Sequence, residues 1–538
     1  MRQPTVQTIR NPVLPGSHPD PCALRVGDDF YLATSTFEWH PGVRLHHSRD
    51  LVHWRPLGGV LDTTRLLDLT GCPDSGGVWA PNLTYADGLF HLVFSNVSTY
   101  AGGFTDSPNL LTTAPSVHGP WSDPVPLHAR GFDASLFHDG PDSWLLNLVH
   151  DWRPHHGGSA GLEATRYDRS ARRLVGDPVP VTLPPQAGWI EGPNLYRHGG
   201  WYYLLTADGG TGYDHQVTVA RSRTLAGPYE RDPRGALVTA RHRPDLPLQK
   251  AGHGSLVATR DGQWYLAYLV ARPEGRRGPC VLGRETALAP VTWTPDGWPR
   301  VPAGLPAPEV PAPAGVGDGD VVGVEDDEVD GFDQPVLGPR WSTLRRPATP
   351  DWLSLTARPS HLRLRGGRSP QSLTGSSLVA RRVTSANGAF EARVEYRPRS
   401  FQHLAGITAY YNTRNWYFLY VTADDEGRAV LRVAGRDRGV LSVDEAGGVP
   451  LGEVRRLRLG LDLRGPDLRF RYATDGGWHP VGPPLDATVL SDEHAEVFES
   501  GQIRDLGFTG AFVGMWAWDL TGGGLPADFD EAAWHAAG

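Results

Sequence analysis

The stretch Gly27-Asp28-Asp29-Phe30-Tyr31-Leu32 is a turn, then an aromatic, then a short apolar run, and four more segments repeat it. They are Asp87-Gly88-Leu89-Phe90-His91-Leu92, Gly140-Pro141-Asp142-Ser143-Trp144-Leu145, His198-Gly199-Gly200-Trp201-Tyr202-Tyr203 and Arg260-Asp261-Gly262-Gln263-Trp264-Tyr265. The marker aromatics Phe30, Phe90, Trp144, Trp201 and Trp264 are separated by 60, 54, 57 and 63 residues. Turn residues followed by aromatic and β-branched runs read as hairpins. Repeats of this length, built from strands alone, suit four-stranded propeller blades around an axis. The expected fold is therefore all-β, with a five-bladed β-propeller over 1–305. A sandwich array has no reason to hold five matched hairpins at one period.

The phase of the repeat indicates where chemistry should lie. Ten or eleven residues before the markers stand Asp20, Trp79 with Ala80, Asp133, Glu191 and His253. Residues at one phase occupy one position in each blade, and the innermost strands face the axis, so these side chains should converge. Each Asp could instead cap a turn or pair with Arg. Three carboxylates at a single phase, among Pro, Gly and Trp, favour function, because carboxylates are costly to desolvate. A carboxyl pair can hydrolyse a glycosidic bond, one as acid and one as base or nucleophile, while a third raises the acid's pKa by like-charge repulsion. Three carboxylates and a His could also bind a cation. No His-x-x-x-His or Cys pair supports zinc, so no metal is expected in the chemistry. A structural cation such as calcium near His253 stays open.

Composition sets the outer limits. With 538 residues the chain exceeds one typical domain. The net charge of −9 argues against nucleic acid, which needs a basic footprint. No run approaches the roughly 18 apolar residues of a membrane span, and no signal-peptide pattern opens the chain, so no membrane association is expected. Cys22, Cys72 and Cys280 are too few and too scattered for a disulfide framework, and the expected compartment is the cytoplasm. Trp occurs 18 times, enough for core wedges and a minority of sugar-stacking faces.

After residue 305 the pattern changes. Residues 306–330 are Pro-, Gly- and acid-rich and read as a linker. From 331 to 538 short alternating strands return, among them Phe390-Glu391-Ala392-Arg393-Val394 and Leu457-Arg458-Leu459-Gly460-Leu461. They read as a C-terminal β-sandwich of the jelly-roll or concanavalin-like kind. Taken alone it could be a carbohydrate-binding module.

The segment Asn11-Pro12-Val13-Leu14-Pro15-Gly16-Ser17-His18-Pro19-Asp20-Pro21 resembles the opening of glycoside hydrolase family 43. Thr34-Ser35-Thr36-Phe37-Glu38-Trp39-His40-Pro41-Gly42-Val43 resembles that family's β-xylosidases in particular. Gly77-Val78-Trp79-Ala80-Pro81-Asn82, Phe132-Asp133-Ala134-Ser135, Glu191-Gly192-Pro193-Asn194, Gly252-His253-Gly254-Ser255 and Leu282-Gly283-Arg284-Glu285-Thr286 follow in the family's order. The resemblance covers nearly the whole chain.

It implies an inverting, exo-acting enzyme that releases xylose from the non-reducing ends of β-1,4-xylo-oligosaccharides such as xylobiose. Arabinofuranosidase activity, alone or alongside, is the alternative in the same class. A non-catalytic carbohydrate-binding propeller is the alternative in another. Asp20 would be the general base, Glu191 the general acid, and Asp133 the group that orients Glu191 and raises its pKa. Base and acid in an inverting site stand about 6.5–9.5 Å apart. Arg284 would lie beside the sugar and hold Asp133 ionised, and His253 would form the floor. Phe37 and Trp79 would be apolar walls, with Phe508 reaching in from the sandwich to make a pocket. The resemblance also implies association into a homo-oligomer, a dimer or tetramer. One stretch departs from the family: in Val149-His150-Asp151-Trp152-Arg153-Pro154-His155-His156 a His precedes the Asp where relatives carry an aromatic. That puts contacts on the leaving-group side in question.

Overall fold

A computed structural model describes residues 7–153, 156, 158–183, 189–314, 329–444, 448–474 and 476–537. His155 and most of the acidic linker, including Glu325-Asp326-Asp327-Glu328, lie outside the described residues.

The N-terminal half is a five-bladed propeller. Its blades are built on the hairpins Cys22–Val26 with Asp29–Thr34, Gly77–Ala86 with Leu89–Val97, Ser135–Asp139 with Asp142–Asp151, Ile190–His198 with Trp201–Asp208, and Gln249–Ala258 with Trp264–Ala271. Each hairpin continues outward into its blade through further antiparallel strands. The first strand of every blade touches the first strands of its neighbours in a closed ring.

Small polar residues just downstream of the phase positions tie the ring together. The Leu136 N–H donates to Asn82, Ser135 donates to the Pro193 carbonyl, Asn194 to the Gly254 carbonyl at 3.3 Å, and Ser255 to the Pro21 carbonyl at 2.8 Å. These bonds satisfy backbone groups where blades splay apart. The recurring Pro-Asn and Ala/Gly-Ser pairs are thus partly structural.

The ring closes where Thr8–Arg10 pairs with Glu309–Pro311. The stretch read as linker therefore begins with a strand. One buried apolar residue, Val310, suffices to seat it, and Pro311 is tolerated because the pair is a two-stranded edge. Asn11 clasps the closure, donating to the Leu288 and Ala307 carbonyls and accepting from the Leu288 N–H.

The C-terminal half is a sandwich of a nine-stranded and a seven-stranded antiparallel sheet over one apolar core. The propeller lends the larger sheet its edge strand: Trp39–His40 pairs with Ser342–Leu344. Trp39 stacks on Phe512 with ring centroids 4.0 Å apart. Nearby, buried Arg345 donates to the Asp74 carboxylate at 2.6 Å and to the Cys72 carbonyl at 2.5 Å, and Asp74 also accepts from Thr413. The two halves share a sheet, an aromatic stack and a buried ion pair.

Removing one partner of a buried pair strands the other charge, which typically costs about 3–5 kcal/mol. Arg345→Met is therefore expected to lower stability by that order, read from the shift in denaturant midpoint. A loss below about 1 kcal/mol would mean that the pair does not hold the halves together.

Candidate active site

A cavity of about 790 Å³ opens at the propeller axis, lined by Asp20, Asp133, Glu191, His253 and Arg284 and walled by Phe37, Trp79 and Phe508. All eight residues singled out from the sequence meet in this one space. Asp20 and Asp133 each stand two residues before the first strand of their blade, whereas Glu191 and His253 lie in strands interrupted by bulges. Asp20, Asp133 and His253 have φ of 56°, 56° and 41°, and Gly192, after Glu191, has φ of 58°. Left-handed backbone in a non-glycine residue is strained, and such strain persists where the surroundings over-determine it. Here it re-aims side chains from the blade face toward the axis, as bulges do.

The three carboxylates have different surroundings. Asp20 accepts the Ser35 hydroxyl at 2.6 Å, and its other oxygen lies 3.5 Å from both the Arg284 guanidinium and His253 Nδ1. Burial works upward on its pKa, but Arg284, then His253 and Ser35, outweigh it and hold the carboxyl below its ordinary value. Glu191 accepts the Trp189 indole N–H at 2.7 Å. Burial pushes Glu191 up to about 7; the Trp189 bond opposes this and the Asp20 charge adds to it. Asp133 accepts the Gly192 N–H at 3.0 Å, next to Glu191 in sequence. Burial, then the charges of Glu191 and Asp20, hold Asp133 well above the usual carboxylate range.

One expectation changes. Asp133 is pushed above the usual carboxylate range although Arg284 works the other way, because burial and the charges of Glu191 and Asp20 outweigh it. Glu285, the residue Arg284 could have paired with, is taken by Arg272 at 2.6 Å. Asp20 is held below its ordinary carboxylate range while Glu191 and Asp133 are pushed above theirs. An acid–base pair of carboxyls requires a separation of this kind.

The aromatic walls form one cluster. Phe508 lies 5.7 Å from Phe37 and 5.6 Å from Trp79, and Arg284 packs over its ring at 4.7 Å. Phe508 is held there by backbone contacts: its N–H donates to Ser75 Oγ, and the Ala511 N–H donates to the Val281 carbonyl. The passage is tight. A Cβ on Gly283 would sit 2.8 Å from Gly510 Cα, and Gly283 has φ of 69°, so only glycine fits.

The sandwich also sends Asp492, Glu493 and Glu496 to the cavity wall, where Glu493 pairs with Lys250 at 2.5 Å. Sequence reading did not find these residues, nor the role of Trp189. Trp189 stands two residues from Glu191, a spacing that shares a face in extended chain and was the available signal. The atypical His150 lies beside Phe132 and Trp189, with ring centroids 6.4 and 6.3 Å away. Below the carboxylates a chamber of about 10 Å³, room for one water-sized species, is lined by Asn82, Asn194 and His253 among others. Among the described residues no group of three or more His, Cys, Asp or Glu is disposed to hold a metal ion.

Comparison with known proteins agrees with this architecture. Residues 9–299 match the family described as "Glycosyl hydrolases family 43", and residues 329–535 match the "Beta xylosidase C-terminal Concanavalin A-like domain". A Vibrio sp protein named "Xylan 1,3-beta-xylosidase" is 41% identical, over 97% of this chain and 98% of its own. A Humicola insolens protein named "Xylosidase/arabinosidase 43B" is 40% identical, over 97% and 96%. The crystal structure of a xylan beta-1,4-xylosidase from Bacillus halodurans C-125 superposes with a TM-score of 0.93 at 45% identity, covering 98% of this chain and all of that one. A ring of blades that gathers three buried carboxylates, with a concanavalin-like sandwich against its mouth, places this chain in glycosyl hydrolase family 43.

Proposed function

We propose that the protein is an exo-acting β-xylosidase that releases D-xylose from the non-reducing ends of β-1,4-xylo-oligosaccharides with inversion. The observation that carries this reading is the split of charge among the carboxylates. Asp20 is poised as a general base, and Glu191, lifted to about 7, as a general acid. Water activated by Asp20 attacks the anomeric carbon as Glu191 protonates the departing oxygen. Asp133 positions Glu191 by accepting the Gly192 N–H. Arg284 faces the sugar hydroxyls and stabilises the Asp20 charge. Phe37, Trp79 and Phe508 enclose one sugar ring, which supports exo cleavage, and His253 is the floor.

The xylosyl preference, and the 1,4 linkage over the 1,3 linkage in the Vibrio relative's name, follow the Bacillus halodurans structure, the more similar of the two. A second reading, α-L-arabinofuranosidase activity in the same pocket, is favoured by the Humicola relative's double name. No helix is long and apolar enough to cross a membrane among the described residues, and Cys22, Cys72 and Cys280 are buried and unbridged. The three thiols support a cytoplasmic setting, and we carry association of copies into a homo-oligomer as part of the proposal.

The pH profile tests the roles. The acid must be protonated and the base ionised, so kcat/KM should fall above about 7 as Glu191 loses its proton and hold on the acid side until Asp20 gains one, below the ordinary range of Asp. Glu191→Gln should remove the alkaline limb and lower kcat on xylobiose by about 10²–10⁴-fold. An alkaline limb that survives in this variant would assign the acid elsewhere. Asp20→Ala should abolish turnover while xylose still binds, measured by calorimetry. Binding with no turnover in the parent protein would instead indicate a carbohydrate-binding propeller.

No step in this scheme needs a metal or cofactor. Exhaustive chelation is therefore expected to leave kcat unchanged, and a kcat restored only by added metal would contradict the scheme. A structural cation beside His253, calcium included, would register as a chelator-sensitive melting temperature.

A further inference from the structure

A second cavity, of about 610 Å³, lies where the propeller meets the sandwich, and none of its lining residues is an Asp or a Glu. Arg44, His18 and His46 reach it from the propeller and Arg382 from the sandwich. Arg44 and His46 stand two residues apart in the strand Gly42–Ser48, and Arg382 ends the strand Ser377–Arg382. Carboxylates come near only at other parts of the wall: Asp50 lies 2.6 Å from His53, and Glu309 lies 3.7 Å from Arg10.

Arg44 is 3% exposed and Arg382 7%. Arg44 donates to the Pro339 and Trp341 carbonyls and to the Ser342 hydroxyl. Arg382 donates through Nε to the Ser17 carbonyl and packs over the Phe512 ring at 5.2 Å. All of these partners are neutral, and among the described residues no carboxylate offsets either charge. An arginine stays charged in a protein, and a buried charge without a counter-charge is costly. Burial pushes Arg44 down to about 10, and burial, then Arg44, pushes Arg382 well below its ordinary range. The rings of His18 and His46 are 4.8 Å apart, and burial, then Arg44 and Arg382, pushes His46 down to about 3. Arg44 Nε and the Nδ1 atoms of His18 and His46 are buried without a hydrogen-bond partner.

We propose that this cavity is an oxyanion site, which takes a phosphate or carboxylate group carried on a compact organic body, with Arg44 and Arg382 supplying the charge. A guanidinium offers a planar fork of donors that suits either group. The volume exceeds what bare phosphate needs and falls within the roughly 300–1,000 Å³ of small-molecule pockets. Apolar Leu14, Trp54 and Pro339 would flank the body of the ligand. Arg44 bonds to sandwich carbonyls and Arg382 to a propeller carbonyl, so an anion held by both bridges the two halves, and binding should raise the melting temperature.

The test is calorimetry with inorganic phosphate and, separately, citrate, at constant ionic strength and with saturating xylose to fill the pocket beside Arg284. At least one anion should bind once per chain with a Kd of about 1 mM or tighter, and the melting temperature should rise over the same concentration range. Phosphate alone would assign the head group as phosphate, and citrate alone as carboxylate. Arg382→Met should weaken binding about tenfold, and His46→Leu about threefold. Absence of binding by both anions would overturn the site. So would stabilisation that persists unchanged in both variants, which is the general effect of excluded salts. A crystal of the parent enzyme soaked in selenate reads the site without any variant. Anomalous density in this cavity supports the proposal, and density only beside Arg284, or none, overturns it.

Discussion

The Arg284 guanidinium, 3.5 Å from Asp20 and packed on the ring of Phe508, sets how charge is divided in the site. Three carboxylates in a cavity walled by aromatics cannot all ionise, because each desolvated charge costs several kcal/mol and repels the others. One buried guanidinium beside Asp20 favours the charge there. Burial pushes the pKa of both Glu191 and Asp133 upward, and the Asp20 charge adds to each. In the proposed mechanism acid and base are distinguished by which carboxylate the arginine faces.

That arginine is fixed by both halves of the protein. It immediately precedes the fifth-blade strand Glu285–Trp293, which Asn11 clasps at Leu288, and Phe508 is delivered by the sandwich. The edge strand Trp39–His40, the Arg345–Asp74 pair and the close Gly283–Gly510 crossing hold the sandwich against the mouth. The accessory domain is therefore part of the pocket wall. It adds Phe508, Asp492 and Glu493 to the lining of the cavity at the propeller axis.

Much of this could be read in the sequence, for a physical reason. Blades repeat, so Asp20, Asp133, Glu191 and His253 occupy one phase, and a one-dimensional period reports a three-dimensional convergence. The roles of Arg284 and Phe508 came from family resemblance, since nothing local marks either. Features that depend on long-range docking left no periodic trace. The two-residue strand Trp39–His40 has its partner some 300 residues away. Glu493 meets Lys250 only once the sandwich is seated. The strand Glu309–Pro311 was hidden in a Pro- and Ala-rich stretch because a two-stranded closure needs only one buried residue. The upward push on the Asp133 carboxyl comes first from burial and then from the charges of Glu191 and Asp20, which composition and spacing do not encode.

In the proposed mechanism Asp20 directs water in a single displacement while Glu191 supplies the proton. Proton NMR of xylobiose hydrolysis, recorded from the first seconds before mutarotation, tests it most directly. The xylose released from the non-reducing unit should appear first as the α-anomer. Initial β-xylose would mean retention through a covalent intermediate, and would contradict the assignment of Asp20 as a base acting on water.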